Sequence, residues 1–226
     1  NDAMYMYGAD AANYSFNMYE ERGMEYFGGG RNLADAKKPL LITHNGNKLA
    51  FIGCNAFGPN HAWATEDKPG SAPCEDFQWM AEEISQLERD GYLPIATFQY
   101  FEDYYDWAAA WHMRDFGLMA DAGAVIVNGS QAHRPKGMEF KGNAFIHYGL
   151  GNLFFDQNWV IDQYDNVIVQ TSWEIIQRHT FYNGRHLNVE LLTAKLENYS
   201  QPRPMSIEER EEFLSQLFDA SKWDWR

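Results

Sequence analysis

An α/β fold is predicted for this chain, and three observations carry the prediction. Two short apolar runs, LPIATFQ from Leu93 and AVIVNG from Ala124, read as strands buried on both faces, with a helical stretch between them. Strand, helix and strand in that order make a parallel pair with a right-handed crossover. An amphipathic helix from Asp76 to Asp90 comes before them, with Phe77, Met80, Ile84 and Leu87 at spacings of three and four. Near the C-terminus, TSWEIIQRHTFY and HLNVELLTAKLE face each other across Asn183-Gly184 as a long hairpin.

The elements follow in order. The opening NDAMYMYGADAANYSFNMYEERG reads as a loop and then a helix, with Tyr14, Met18 and Tyr19 on its inner face and Gly23 as its stop. A compact α/β domain rarely begins on a helix, so the natural protein is expected to extend upstream. PLLITH and KLAFIGC are strands joined by NGN, a strong hairpin signal. A long loop, Asn55 to Pro73, leads to the helix ended by Gly91 and then to LPIATFQ. A second helix, Trp107 to Ala122, leads through Gly123 into AVIVNG. GMEF, AFIHYGLG and NLFF look like short strands. After the hairpin, Pro204 introduces a last helix in which Ser206 and Glu209 are spaced as a capping box.

Length and composition bound the rest. The 226 residues, 45% of them apolar, can bury a sizeable core. The chain reads as a single domain over residues 1–226, with 171–226 a hairpin-helix extension. No run of about 18 apolar residues occurs, so none of the sequence reads as a membrane-spanning helix. A net charge of −14 argues against nucleic acid, which needs a clustered positive footprint. The same acidity repels an anionic polymer unless cations bridge the two.

Cys54 and Cys74 flank an irregular loop. A bridge between them would contribute roughly 3 kcal/mol through loop closure and would imply an exported protein. Two separate buried thiols are the other reading.

Ligands of open α/β sheets bind at the carboxyl ends of parallel strands. The loops expected there, QYFEDYYD and GSQAHRPKG, supply Gln99, Glu102, Tyr104, Ser130, Gln131 and His133. Taken singly, each has an ordinary structural role open to it; their convergence is what suggests a site. His112, in a helix, and His147, in a strand, read as structural. His61, Glu66 and Asp67 decorate a loop. GLGN has no following Lys and opens no helix, so a phosphate-cradling P-loop fails. GSQAH lacks the flanks of a nucleophile elbow, and no orienting acid accompanies Ser130.

Two segments, GMEYFGGGRNLADAKKPLLITHNGNKLAFIGCN and ADAGAVIVNGSQAHRPKGMEFKGNAFIHYGLGNLFFDQ, and the spacing between them carry a resemblance. They resemble the CapA family of bacterial capsule and poly-γ-glutamate synthesis proteins over about Gly8 to Gln157. The resemblance implies a calcineurin-like metallophosphatase-type layered α/β/β/α sandwich, with a divalent-metal or phosphate site at one end of its sheets. It implies an extracellular or cell-surface protein, anchored or secreted through an upstream segment, whose partner is an anionic surface polymer or its assembly machinery. Carried over by position, Gln131 and His133 stand where the family's turn has two histidines. Gln99 replaces a strand-end histidine, Glu102 matches the acidic residue after it, and Asn152 is the asparagine of the glycine-leucine-glycine-asparagine motif. The family's asparagine-histidine motif would lie just before Asn1 and Asp2.

Two of three imidazoles are thus amides, and an amide oxygen is a far weaker ligand for Zn²⁺ or Fe than an imidazole nitrogen. Harder ions such as Ca²⁺, Mg²⁺ or Mn²⁺ tolerate it. The expected function is assistance in polymer synthesis or attachment by a scaffold whose metal site is degraded, Gln131 and His133 being its remaining ligands. The alternative is an active metal-dependent phosphoesterase-like or γ-glutamyl hydrolase, with His133 and Glu102 catalytic. A self-associating structural surface protein is a third reading.

Overall fold

A computed structural model describes residues 6–157 and 160–222. Asn1 and Asp2, singled out in the sequence, lie outside the described residues. The chain begins with α1 (Gly8–Glu21), a two-residue strand β1 (Gly29–Gly30) and a short α2 (Leu33–Ala36). The first hairpin follows as β2 (Leu40–His44) and β3 (Asn47–Asn55), turning at Asn45 and Gly46, both at positive φ. Next come β4 (Gly70–Ser71), α3 (Gln78–Arg89), β5 (Leu93–Asp103), α4 (Ala110–Asp121) and β6 (Ile126–Ala132). The chain continues through β7 (Met138–Lys141), β8 (Ala144–His147), β9 (Trp173–Tyr182), β10 (Arg185–Glu197), β11 (Gln201–Pro204) and α5 (Ile207–Ala220).

Six strands make a central mixed sheet in the order β2-β3-β5-β6-β8-β7. Its four inner strands run parallel, and its two edges are antiparallel. Alternation along the strands decides which face meets which layer. Ala96, Phe98 and Tyr100 of β5, with Ile52, Val127 and Ile146 beside them, pack on Met80 and Ile84 of α3 and Phe116 and Met119 of α4. The opposite set on β8 includes Phe145 and His147, whose rings and hydrogen bonds meet His179 and Gln177 of β9. Strands β9, β10 and β11 form an antiparallel three-stranded sheet. A second core of Met138, Phe145, Trp173, Ile175, Phe213 and Leu217 joins this sheet to α5 and to the β7–β8 edge.

The Cys54–Cys74 disulfide is present and ties the end of β3 to the turn before α3. The capping box of α5 is formed by Ser206 and Glu209.

Several expectations are corrected. In α1 the buried residues are Ala12 and Phe16, while Tyr14 is 70% exposed. Phe16 is held by the ring of Tyr26 and the guanidinium of Arg31. The α4 helix starts at Ala110 rather than Trp107, because the Trp107 carbonyl accepts a hydrogen bond from the Lys136 ammonium. NLFF is not a strand. Phe154 takes a positive φ of 54°, and its N–H donates to the Glu174 carboxylate instead of to a neighbouring strand.

Candidate functional site

The site forms where β5 and β6 end. Both strands run further than the sequence suggests, with Gln99 opposite Ser130 and Asp103 opposite Ala132 across an irregular stretch. Gln99, Glu102, Ser130 and Gln131 therefore sit on strand ends rather than in loops. This fixes their backbones more firmly than a loop would.

Two glycine-rich segments run side by side here. Leu150 N–H donates to the Gly129 carbonyl, and Lys136 N–H to that of Gly149. A Cβ on Gly129 would lie 2.4 Å from the Tyr148 carbonyl oxygen. One on Gly151, at φ +76°, would lie 2.7 Å from a Pro135 ring carbon. Only glycine lets these backbones pass so closely. The close approach brings His133 from one segment against Asn152 from the other.

His133 is the hub. Asn152 commits its amide nitrogen to the Thr171 carbonyl at 3.0 Å, so its oxygen faces His133 Nδ1, which donates to it at 2.8 Å. On the other side of the ring, Nε2 meets a carboxylate oxygen of Glu102 at 3.0 Å. Tyr104 and Phe155 stack on the imidazole, and Gln157 links the Tyr104 hydroxyl to Asn152. The His133 backbone N–H donates to the Asp103 carbonyl.

The two glutamines pair with each other, Gln99 Nε2 donating to Gln131 Oε1 at 2.9 Å. Gln131 adopts φ +80°, an unusual conformation for a residue with a side chain. Ser130 donates its hydroxyl to the Phe98 carbonyl. So the structure groups Glu102, Tyr104, His133 and Asn152 in one network and Gln99 with Gln131 in a second, while Ser130 is engaged by backbone. His61, Glu66 and Asp67 lie on the exposed loop before β4.

Residues not singled out from the sequence complete the surroundings. Arg134 pairs with Asp106 at 3.1 Å, and burial pulls its pKa below the usual guanidinium value. Lys136 pairs with Asp103 at 2.7 Å, both buried; burial lowers the lysine pKa, and Asp103 opposes that shift. Glu174, buried with one carboxylate oxygen unpaired, has its pKa raised by burial. The basic RPK following His133 and the acidic FEDYYD were the available signals for the first two pairs; nothing local marks Glu174. A cleft of about 680 Å³ opens beside the network, lined among others by Glu102, Tyr104, Tyr105, Arg134, Asp162 and Tyr164.

Among the described residues, no three His, Cys, Asp or Glu side chains gather as a metal-ligand set. Neither ring nitrogen of His133 is turned to open space, and Gln131 is bonded to Gln99. These residues do not fit a metal centre of their own.

A profile described as bacterial capsule synthesis protein PGA_cap matches residues 1–157. The chain belongs to this capsule synthesis family. It is 27% identical over 174 residues to the capsule biosynthesis protein CapA of Bacillus anthracis, a match covering 75% of this chain and 42% of that protein. It is 26% identical over 165 residues to the PGA biosynthesis protein CapA of Bacillus subtilis, covering 73% and 43%. The matched part thus spans less than half the length of these relatives. Among solved structures, the chain is similar to a Staphylococcus aureus protein described as a 5′-nucleotidase, with a TM-score of 0.44 and 10% identity over 89% of this chain and 38% of that one. GAP50, the anchor in the inner membrane complex of Plasmodium, gives a TM-score of 0.31 at 10% identity, over 80% and 59%. Within the capsule synthesis family's matched span lie β5, β6, His133 and the glycine-rich pair of segments. No helix among the described residues is long and apolar enough to cross a membrane.

Proposed function

We propose that this chain is a cell-surface member of the capsule synthesis family that assists synthesis or attachment of a poly-γ-glutamate-type polymer by holding it, on a scaffold whose metal site is degraded. One observation carries the reading. At the strand ends where the resemblance places imidazoles, Gln99 and Gln131 bond each other, and His133 is bound on both ring nitrogens by Asn152 and Glu102. Such a network is suited to positioning a ligand and ill suited to Lewis-acid chemistry. The disulfide supports an oxidising, extracellular setting. The reading takes the chain as a single domain, which is supported by the core that the C-terminal hairpin and α5 share with β7 and β8.

The test combines binding and turnover on the purified chain. Poly-γ-glutamate is expected to bind, more tightly with Ca²⁺ or Mg²⁺ present, because the surface carries −14. The polymer should keep its length on prolonged incubation. Shortening of the polymer, or phosphoester cleavage, by metal-stripped protein would overturn this reading.

A second reading rests on the Glu102–His133 pair itself. Glu102 stands half exposed at the mouth of the cleft, 3.0 Å from Nε2, within reach for moving a proton. As a hydrolase, the protein would lose turnover in His133→Ala while keeping its melting temperature within a few degrees. Unchanged turnover would remove His133 from any mechanism.

A further inference from the structure

The cleft of about 680 Å³ beside the His133 network lies within the roughly 300–1,000 Å³ that small-molecule sites occupy. Its polar wall accepts more than it donates. Glu102, half exposed, and Asp162 present carboxylates to it. Arg134 also lines it, but its terminal nitrogens are both engaged, one with Asp106 at 3.1 Å and the other with the Tyr104 carbonyl at 3.3 Å, and its Nε is buried. The buried ammonium of Lys136 is likewise paired with Asp103. Among the described residues, no lining cation is left over to receive an anion, and the chain as a whole carries −14. The two exposed carboxylates are themselves partly satisfied. Glu102 meets His133 through one oxygen, and one oxygen of Asp162 accepts the N–H groups of Tyr164 and Asn166. What the wall offers is a set of lone pairs for hydroxyl or amide donors rather than a bare pair of charges.

The apolar part of the wall is aromatic and faces water: Tyr105 is 59% and Tyr164 74% exposed. Both are held by their backbones. Tyr164 sits in a turn closed by the Ile161–Val167 bridge, and its N–H donates to Asp162 at 2.8 Å. The N–H of Tyr105 donates to the Asp103 carboxylate at 3.2 Å, and its ring lies against that of Trp107, centroids 5.3 Å apart. Trp107, half exposed, lines a second cleft of about 310 Å³ with Met113, Glu139 and Tyr148. Tyr and Trp side chains supply a large, rigid, amphipathic contact area at low entropic cost. A pyranose matches such a wall on both counts. Its faces carry C–H bonds that lie on the negative face of an aromatic ring, and the hydroxyls around its edge donate to carboxylate and amide oxygens. The Tyr105–Trp107 pair leads from one cleft to the other, which suits several sugar units in line better than a single ring.

We propose that this cleft, with the Tyr105–Trp107 pair beyond it, binds an uncharged oligosaccharide, its rings on Tyr164, Tyr105 and Trp107 and its hydroxyls donating to Glu102 and Asp162. The inference goes beyond the holding of poly-γ-glutamate and does not rest on it. That polymer carries carboxylates and reaches an acidic surface through bridging cations, whereas the oligosaccharide needs none.

The experiment is isothermal titration calorimetry on the full chain without divalent ions. The neutral probes are chitotetraose, cellotetraose and maltotetraose; the glucosamine tetramer is the cationic counterpart of the first, and poly-γ-glutamate is the anionic competitor. At least one neutral tetramer is expected to bind saturably and more tightly than its monosaccharide. Its affinity should hold from about 0.05 to 0.5 M salt, because no charge on the ligand is there to be screened. Poly-γ-glutamate should not displace it. Tyr164→Ala and Tyr105→Ala should each weaken binding about tenfold, while Tyr182→Ala, an exposed tyrosine on the C-terminal hairpin, should leave it unchanged. Circular dichroism on each variant separates lost binding from lost folding. The proposal is overturned if no neutral tetramer saturates by about 10 mM, or if only the cationic tetramer binds, which would assign the cleft to amines. Binding that survives the double substitution of Tyr105 and Tyr164, or that poly-γ-glutamate displaces, overturns it too. Polymer binding in the presence of Ca²⁺ is read in a separate titration, so the polymer-holding function can fail while the oligosaccharide site stands, and the reverse.

Discussion

Lys136 is 1% exposed, and its ammonium uses all three donors: to Asp103 at 2.7 Å, to the Tyr105 carbonyl at 2.8 Å and to the Trp107 carbonyl at 3.1 Å. One buried cation thus fixes the segment between β5 and α4, and with it Tyr104 on the His133 ring. Removing one partner of such a pair leaves the other charge buried and unpaired. Lys136→Met is expected to cost about 3–5 kcal/mol, read as a lower urea midpoint at unchanged slope. A loss under about 1 kcal/mol would mean that water reaches Asp103 and that the pair is not sealed. From sequence, lysine after a proline looks like a surface residue. Its role depends on carbonyls some thirty positions earlier, which no local pattern reveals.

Where an element was legible, its information was local. Asn45-Gly46 and Asn183-Gly184 announce their hairpins because both turns need positive φ, and Ser206 with Glu209 announces α5 by reciprocal capping. The β5–α4–β6 unit followed from apolar runs around a helical stretch, and it placed the candidate residues at the correct end of the sheet. Faces and boundaries were less legible, because other elements decide them. Tyr14 fits a helical stripe, yet Phe16 is the residue that Tyr26 and Arg31 cover. Asn152 to Phe155 has strand-like composition, yet Glu174 captures its backbone. The pairing of Gln99 with Gln131 was visible only as a suggestion that two strand ends meet. The glycine-rich motif also makes a prediction. Gly129→Ala would set a methyl group 2.4 Å from the Tyr148 carbonyl, forcing β6 and the segment after β8 apart. It is expected to destabilise by about 1–3 kcal/mol or more and to displace His133 from Asn152. Wild-type stability together with an unshifted His133 ring resonance would show that the two backbones have room to spare.

Over the whole molecule, buried imidazoles and surface acids set the response to pH. Burial pushes His112 down to about 4 and His147 to about 3, against 6.5 for an exposed ring. The sign follows from where protons bind: between those values and about 6.5 the unfolded chain takes up protons that the folded chain refuses, so stability rises with pH. The contribution is complete above about pH 6.5 and is lost as pH falls toward 4 and then 3. Two such rings give up to about 2–3 kcal/mol per pH unit in the middle of that window. Glu174 works the other way, since its raised pKa favours the folded state at low pH and lessens the slope. Acidification also relieves mutual repulsion among the acids behind the −14 charge, which again opposes the histidines. Salt separates the two causes, because it screens exposed charges and leaves buried desolvation almost untouched. Urea midpoints taken from roughly pH 4.5 to 7 should fall as the solution becomes more acidic, and should fall at least as steeply in about 0.5 M salt, where relief of repulsion no longer offsets the histidines. A midpoint that stays flat in high salt would mean that His112 and His147 take up protons in the folded protein. The hydrogen bond from His147 to the Lys136 carbonyl, and the chain running from it into the hairpin, would then need redrawing.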